Sequence, residues 1–264
     1  MIDPSATIHP SAIVEEGAEI GPGCRIGALS FVGAGVRLGP GVVLENQVSV
    51  TGDTVIGPGC RLWPFASVGS EPQDLKYRGE RSRVEIGARN RIREYATVNS
   101  GTEGGGGLTR LGDDNLLMMH VHLAHDCLVG NGIVFANGVQ VAGHVEIADH
   151  AVLGSMCGVH QFCRIGRGAM IGAGAMVLND VIPHATVGSA RATLAGLNLV
   201  GLKRRGEDKA EINELRRAYR ALFDGEGTLQ ERAAALLEGS GNPLVREMME
   251  FVLAGSDRAL CAPG

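Results

Sequence analysis

The sequence predicts a parallel β-helix followed by a small α-helical segment. Apolar residues recur at every sixth position from Ile8 to Val177, with only two interruptions. Glycine accounts for 40 of the 264 residues, whereas aromatic residues make up only 4%. A helical periodicity replaces the hexapeptide repeat beyond about residue 191. A hexapeptide repeat that is rich in turn residues and poor in aromatic rings is typical of a β-helix.

The repeat runs in one frame and then resumes in a second frame, shifted by one residue. The first frame contains Ile8, Val14, Ile20, Ile26, Val32, Leu38, Leu44, Val50, Ile56, Leu62 and Val68, and then Ile86, Ile92 and Val98. The second contains Leu111, Leu117, Leu123, Val129, Phe135, Val141, Ile147, Leu153, Val159, Ile165, Ile171 and Val177. Each hexad is predicted to form one short strand and a corner, so that three hexads close one triangular coil. Successive coils would stack at about 4.8 Å.

Glycine and cysteine occupy fixed places in the repeat. Glycine often follows the apolar position directly, as at Gly27 and Gly57, and we expect it to supply the positive φ of a sharp corner. No two cysteines form a CxxC pair, which argues against a zinc knuckle or a thioredoxin-like motif. Five of the six cysteines lie four residues after an apolar position, and we predict that they fill the core. These are Cys24, Cys60, Cys127, Cys157 and Cys163.

Two segments interrupt the repeat. Residues 69–85 carry many charges, and residues 99–110 are rich in glycine. Both are predicted to be loops extruded from a coil, and long loops on a repeat scaffold often carry function. The repeat ends near Pro183. The sequence therefore predicts a β-helix over residues 1–190 and an α-helical C-terminal domain over residues 191–264.

The C-terminal domain carries three helix signals. A shared helical face is predicted for Ile212, Leu215, Leu222 and Phe223. The segment Thr228–Glu231 matches a capping box, and Asn242 followed by Pro243 predicts another helix start.

Charge and hydropathy exclude several classes of protein. The net charge of −5 gives no reason to expect binding to nucleic acid. The N-terminus has no basic region followed by an apolar run, so no signal peptide is predicted. No apolar stretch reaches the length of a membrane span. We expect a cytoplasmic protein.

A coil of three hexads predicts which polar residues lie together. His125, Gly143 and Gln161 should form one column, and Asp126 and His144 belong to the next. With Asp126 beside it, His125 could remove a proton from a hydroxyl near neutral pH. The backbone N–H of Gly143 could stabilise an oxyanion.

Two other interpretations of these histidines stay open at this point. Exposed histidines can simply be polar residues on the outer face of a β-helix. Three imidazoles, such as those in HVHLAH (120–125), could instead hold a catalytic zinc ion, as in the γ-type carbonic anhydrases, which share a related β-helix. A further hypothesis is a β-helix scaffold without enzymatic activity, because a fold alone does not fix a function.

A set of motifs resembles the UDP-N-acetylglucosamine O-acyltransferase family over nearly the whole chain. The motifs are QDLKY (73–77), VEIGARNRIRE (84–94), GGGLT (105–109), DNLLM (114–118), AHDC (124–127), AGHV (142–145), VHQFC (159–163) and GLKRRG (201–206). Each is weak alone, but their order on hexapeptide repeats is specific. The resemblance implies a left-handed β-helix, although the general rule for parallel crossovers would favour the right-handed form.

The resemblance also implies a reaction. In this family an (R)-3-hydroxyacyl chain moves from acyl carrier protein to the 3-hydroxyl of UDP-N-acetylglucosamine (UDP-GlcNAc), the first step of lipid A synthesis. It assigns the general base to His125, oriented by Asp126, with the N–H of Gly143 as oxyanion donor. It implies no metal or cofactor. Substrate contacts would come from Asp74, Lys76, His122, His144, His160, Gln161, Asn198, Arg204 and Arg205.

Further expectations concern partners and specificity. The resemblance implies a homotrimer with sites between subunits. Arg216, Arg217 and Arg220 are candidates to dock the acidic carrier protein, or are simply the exposed face of a helix. Ala173, often glycine in the family, and Arg191 are predicted to limit the acyl-chain length.

One rival lies within the same pathway, where an N-acyltransferase usually carries an extra N-terminal uridine-binding domain. The repeat here begins at Ile8, so no such domain is expected.

Overall fold

The computed structural model describes residues 1–264 and shows a left-handed parallel β-helix with four α-helices at its C-terminal end. The strands are β1 (Thr7–Ile8), β2 (Ile13–Val14), β3 (Glu19–Ile20), β4 (Arg25–Ile26), β5 (Phe31–Val32), β6 (Arg37–Leu38), β7 (Val43–Leu44), β8 (Ser49–Val50), β9 (Asp53–Ile56), β10 (Arg61–Leu62), β11 (Ser67–Ser70), β12 (Arg83–Ile86), β13 (Arg91–Ile92), β14 (Thr97–Asn99), β15 (Leu108–Leu111), β16 (Leu116–Leu117), β17 (His122–Leu123), β18 (Leu128–Val129), β19 (Val134–Phe135), β20 (Gln140–Val141), β21 (Glu146–Ile147), β22 (Val152–Leu153), β23 (Gly158–Val159), β24 (Arg164–Ile165), β25 (Met170–Ile171), β26 (Met176–Val177), β27 (Ala185–Gly188) and β28 (Thr193–Leu197).

The strands form three sheets, and each sheet takes every third strand. One sheet runs β1-β4-β7-β10-β13-β16-β19-β22-β25-β27-β28, the second β2-β5-β8-β11-β14-β17-β20-β23-β26, and the third β3-β6-β9-β12-β15-β18-β21-β24. All pairs are parallel except β27 with β28, which is antiparallel. In most coils a residue pairs with the one that lies three hexads further along the chain, as His122 does with Gln140. This confirms the predicted coil length.

The two interruptions explain the frame shift. Between β10 and β13 the register jumps from Arg61 to Arg91, which inserts the length of two hexads and preserves the frame of the repeat. Between β13 and β16 it jumps from Arg91 to Leu116, which inserts one hexad and a single further residue and so shifts the frame by one. The loops themselves are shorter than predicted, at residues 71–82 and 100–107, because β11, β12, β14 and β15 extend into them. The second loop contains a 3-10 turn at Glu103–Gly105.

The prediction for the glycines that follow the apolar positions holds at Gly69, whose φ is +85°, but was wrong at Gly27 and Gly57. The positive φ occurs two residues further on, at Leu29 after Gly27 and at Gly59 after Gly57. Gly27 is required for a different reason, since a Cβ there would lie 2.6 Å from the backbone carbon of Glu45. These glycines allow one coil to approach the next.

The interior confirms the predicted core. The apolar positions of the repeat from Ile20 onward point inward and belong to one buried cluster. All six cysteines are buried, including Cys261, for which no prediction was made. Burial raises the pKa of Cys127 to about 12, which makes its thiol a poor nucleophile.

The C-terminal helices are α1 (Leu199–Arg204), α2 (Lys209–Asp224), α3 (Leu229–Glu238) and α4 (Pro243–Leu253). The capping box at Thr228 and the helix start at Pro243 are both present. Along α2, Ile212, Leu215 and Leu222 are buried, and Phe223 is partly buried against the core. After α4 the chain returns to the β-helix, where Leu260 bridges Asp180 and Pro263 bridges Leu194. None of the helices combines the length and the apolar character that crossing a membrane requires.

The buried cysteines give a first testable prediction. The folded protein should react with a thiol reagent far more slowly than the unfolded chain, because every thiol is enclosed. Dithionitrobenzoate absorbance with and without denaturant measures this, and six thiols should react once the chain unfolds. Rapid reaction of one or more thiols in the native protein would contradict the assignment of the cysteines to the core.

Candidate active site

Coil stacking brings the predicted histidine columns together. The backbone N–H of His144 donates to the carbonyl of His125 over 3.0 Å, and that of Phe162 donates to Gly143 over 3.2 Å. The rings of His144 and Phe162 stack with their centroids 4.5 Å apart, and His125 meets His144 edge-on. The two columns expected from the spacing of three hexads are therefore present.

His125 and Asp126 form a hydrogen-bonded pair. Nδ1 of His125 lies 2.8 Å from Oδ2 of Asp126. The Asp126 side chain is only 1% exposed and that of His125 is 13% exposed. An ionised carboxylate can only accept hydrogen bonds, so the ring proton of His125 resides on Nδ1 and the lone pair on Nε2 is available to a substrate. This is the arrangement of a general base with its orienting acid.

The glycine-rich loop at residues 100–107 encloses the Asp126 carboxylate. The backbone N–H of Thr102 donates to Oδ1 over 2.8 Å, and its hydroxyl donates to Oδ2 over 2.6 Å. Gly105 packs so closely that a Cβ there would overlap the carboxylate. Together with His125, the loop supplies the three donors that a buried carboxylate needs. Thr102 was not predicted from the sequence, because an extruded loop carries no repeat from which its position could be inferred.

Gly143 forms the surface against which His125 rests. A Cβ at Gly143 would lie 2.5 Å from Cε1 of His125, so only glycine leaves room for the ring. The N–H of Gly143 donates no hydrogen bond within the chain. The residue lines a cavity of about 520 Å³ together with His122, His125, His160 and Gln161. An unengaged N–H beside a base, in a cavity, can stabilise a developing oxyanion.

Burial affects two neighbouring histidines. Desolvation lowers the pKa of His122, and the charge of His125 lowers it further. Desolvation also lowers the pKa of His144, although Asp126 acts in the opposite direction. Nδ1 of His122 lies 2.7 Å from the hydroxyl of Thr97. Both imidazoles are therefore held in their neutral forms, which suits hydrogen bonding to an uncharged substrate group.

The HVHLAH segment does not gather its three histidines. His120 stacks on Tyr95 and does not line the cavity that contains His122 and His125. The residues whose potential metal-binding atoms do converge are His125, Asp126 and His144, all within 4.8 Å of one another. The Asp126 oxygens are already engaged by His125 and Thr102, as expected where a carboxylate orients a base.

One chain does not bring every predicted substrate residue to this cavity. Asn198 caps α1 by accepting from the N–H of Gly201, and its amide donates to Gly168. Arg205 lies 3.2 Å from Nδ1 of His184 through Nη2, and Arg204 is exposed. None of Asn198, Arg204 and Arg205 lines the cavity of His125.

The loop at residues 71–82 contributes a further residue to the lining of the cavity. Gln73, which the sequence analysis did not select, lines the cavity. The charges of Asp74 and Lys76 act in opposite directions on the pKa of His144, so this loop contributes to the electrostatics of the site. Between them Leu75 is 96% exposed, an unusual position for a leucine in a single chain.

Of the two residues expected to limit the acyl-chain length, Arg191 lies beside the cavity and Ala173 does not line it. Arg191 bridges Met176, which lines the cavity, so Arg191 lies next to one end of it. Ala173 is exposed and does not line the cavity in the same chain.

Comparison with known proteins gives a consistent result. Residues 180–261 match a family described as UDP-N-acetylglucosamine O-acyltransferase, domain 2. The chain is 54% identical over 202 residues to the acyl-[acyl-carrier-protein]–UDP-N-acetylglucosamine O-acyltransferase of Paracoccus denitrificans, covering 76% of this chain and 77% of the relative. The corresponding protein of Caulobacter vibrioides is 51% identical over 230 residues, covering 87% and 85%.

Solved structures agree over nearly the full length. The chain superimposes on the UDP-N-acetylglucosamine acyltransferase of Campylobacter jejuni with a TM-score of 0.93 and 41% identity, covering 98% of this chain and 100% of the other. A second UDP-N-acetylglucosamine acyltransferase crystal structure gives a TM-score of 0.94 at 41% identity, covering 98% and 99%.

The lowered pKa values of His122 and His144 predict how stability depends on pH. The unfolded chain binds protons on these imidazoles more readily than the native state does. Their contribution is therefore complete above the unfolded pKa of about 6.5 and is lost as the pH falls through the lower folded values. Urea unfolding midpoints between pH 7.5 and pH 5.5 should decline, and less steeply in His144→Gln. The same decline in His144→Gln as in wild type would contradict this, and the exposed His9→Gln serves as the control.

Proposed function

The chain belongs to the UDP-N-acetylglucosamine O-acyltransferase family and is an acyltransferase that acts between acyl carrier protein and UDP-GlcNAc in lipid A biosynthesis, and we propose that His125 is its general base. The observation that carries this proposal is the hydrogen bond between His125 and buried Asp126, in a cavity that also holds the unengaged N–H of Gly143.

The proposed reaction is a direct transfer. Nε2 of His125 accepts the proton of the 3-hydroxyl of UDP-GlcNAc as that oxygen attacks the thioester carbonyl of an (R)-3-hydroxyacyl carrier protein. The carbonyl oxygen becomes an oxyanion and accepts a hydrogen bond from Gly143. Collapse of the tetrahedral intermediate breaks the carbon–sulfur bond, and the departing sulfur takes the proton from the imidazolium. The ester and the free carrier thiol result.

The geometry supports this route over a covalent acyl-enzyme. Cys127 and Cys163 are the thiols nearest to the site in sequence, and both are buried in the core. Burial raises the pKa of each to about 12, so neither supplies a thiolate near neutral pH. A base and an oxyanion donor without a nucleophile fit attack by the substrate hydroxyl itself.

The proposed substrate residues indicate that the working site is shared between copies. Asn198, Arg204 and Arg205 would bind the nucleotide and its phosphates, to which a guanidinium is well suited, yet they do not line the His125 cavity of their own chain. The exposed Leu75 would be covered by a neighbouring copy. Both features support a homotrimer whose sites lie between subunits.

The carrier protein that brings the acyl chain is proposed to bind to the exposed arginines of α2. Arg216, Arg217 and Arg220 are exposed on α2 and form no ion pair within the chain, so they are free to bind an acidic carrier protein.

Six further residues are proposed to position the sugar and the acyl donor. They are Asp74, Lys76, His122, His144, His160 and Gln161. Arg191 would close the cavity beside Met176, and Ala173 of a neighbouring copy would shorten the groove.

The main prediction concerns acyl transfer by the purified protein. Transfer to UDP-GlcNAc from a series of (R)-3-hydroxyacyl carrier proteins should proceed in the presence of a chelator. It should fall about 10²- to 10⁴-fold in His125→Ala, the range that a general base contributes. A product assay by mass spectrometry measures this. Loss of wild-type transfer on adding chelator would show that the reaction needs a metal ion and would contradict the metal-free route, and equal rates for wild type and variant would remove His125 as base. An optimum at the longest donor would contradict the role given to Ala173.

A matched pair of glycines tests the loop around Asp126. Gly105→Ala should lower kcat on the order of 10²-fold, because the new Cβ overlaps the carboxylate that orients His125. Gly104→Ala is the control, since a Cβ there meets nothing within 4 Å. Its kcat should stay within about twofold of wild type. Steady-state kinetics at saturating UDP-GlcNAc measures both variants, and equal kcat values for the two would show that the loop does not position the base.

A further inference from the structure

The last residues of the chain are anchored on the β-helix next to the cavity. The backbone N–H of Asp180 donates to the carbonyl of Ala259 over 2.8 Å, and that of Cys261 donates to Asp180 over 2.8 Å. The N–H of Leu194 donates to Ala262 over 2.9 Å. The Cys261 side chain is buried. The segment after α4 is therefore bound to the β-helix through backbone hydrogen bonds and two isolated β-bridges, and its residues have defined positions.

Asp180, whose backbone binds this segment, is itself held in place by hydrogen bonds to its side chain. Its carboxylate is fully buried and accepts from the backbone N–H of Arg164 over 2.7 Å and from its Nε over 2.8 Å. The guanidinium of Arg164 also lies over the ring of Phe251 on α4. The Arg164–Asp180 ion pair thus holds both the last helix and the segment that follows it against the same coil. Arg258 directly precedes Ala259, so the backbone hydrogen bond of Ala259 also fixes the position of Arg258.

The Arg258 side chain reaches a residue of the proposed site. Its Nη2 lies 2.9 Å from Nδ1 of His160, and its Nε donates to the carbonyl of Gln161 over 3.0 Å. Nδ1 of His160 also lies 3.3 Å from the carbonyl oxygen of Gln161, but the contact with Arg258 is shorter, and a guanidinium can only donate hydrogen bonds, so Nδ1 accepts from Arg258. The ring proton of a neutral His160 then resides on Nε2. His160 lines the cavity that contains His125.

From this geometry we propose that Arg258 is a positioning residue for the acyl-transfer site. It holds the His160 ring in one orientation and in the Nε2–H form, so that His160 donates a hydrogen bond to an oxygen of the bound substrates. The proposal rests on the function proposed above. It makes the segment after α4 part of the active site, although Arg258 lies far from His125 along the chain.

A firmly held C-terminal segment is what this role of Arg258 requires. An imidazole on the rim of a cavity can rotate about its side-chain bonds, and each rotamer presents a different nitrogen. Two hydrogen bonds from one planar guanidinium, one to the ring and one to the next carbonyl, restrict that rotation. Lysine offers a single point charge and cannot hold both acceptors in the same fixed geometry.

The test combines a readout on His160 itself with enzyme kinetics. In protein labelled with ¹⁵N-histidine, the His160 signals, identified by their loss in His160→Gln, should show the Nε2–H tautomer. Arg258→Met should give a mixture of tautomers, and Arg258→Lys an intermediate result. Arg258→Met should also reduce kcat/KM about tenfold, the effect of losing a hydrogen bond to a charged group. Added guanidinium ion should restore part of the activity of Arg258→Met.

Arg246→Ala is the matched control, since Arg246 is an exposed arginine of α4 that pairs with Glu250 away from the cavity. It should change neither the tautomer nor kcat/KM. Unchanged His160 signals in folded Arg258→Met, as judged by its circular dichroism, would overturn the proposal whatever the activity. A changed tautomer with unchanged kcat/KM would overturn the role in transfer. If wild type transfers no acyl group while the tautomer responds to Arg258, the function proposed above fails and the contact stands.

Discussion

The parallel backbone hydrogen bonds between successive coils are the constraint on which the rest of this structure depends. Most strands contain only two residues, too few to be stable alone, and each gains its partners from the coils above and below. The register places residues three hexads apart on top of one another, as with His122 and Gln140. Because side chains in a strand alternate between the two faces, the same register that buries the apolar positions directs their neighbours outward. The register between coils therefore determines both the packing of the core and the positions of the site residues that stack on its outer face.

That common cause explains how much the sequence could predict. The fold, the core cysteines and the columns containing His125 and His144 all follow from a period of six, which is visible without any structure. Thr102, Gln73 and Arg258 could not be found in this way, since they lie in extruded loops or in the segment after α4 and reach the site through tertiary contacts. The role of glycine was misjudged because composition reveals that small residues are needed, but not whether φ or the close approach of coils requires them.

Asp126 shows why the loops matter as much as the repeat. A carboxylate that is 1% exposed would be costly to bury in the ionised state without hydrogen bonds. The repeat supplies His125 as one donor, and the other two come from Thr102 in the inserted loop. The insertion that shifts the repeat frame thus completes the environment of the orienting acid. A regular coil at this level would leave the Asp126 oxygens short of partners, so the irregularity and the chemistry are connected.

The proposed trimer would account for the separation of the candidate site residues within one chain. A triangular β-helix has three corners, and residues on different corners of one copy cannot meet across its filled core. The proposed nucleotide residues, Asn198, Arg204 and Arg205, do not line the cavity of His125. In the proposed trimer, a three-fold axis parallel to the β-helix axis would place one corner of each copy against a different corner of the next. Each interface would then combine the base of one subunit with the arginines of its neighbour. If each site takes residues from two copies, as proposed, dissociation would abolish binding of the nucleotide without disturbing the His125–Asp126 pair, which is formed within one chain.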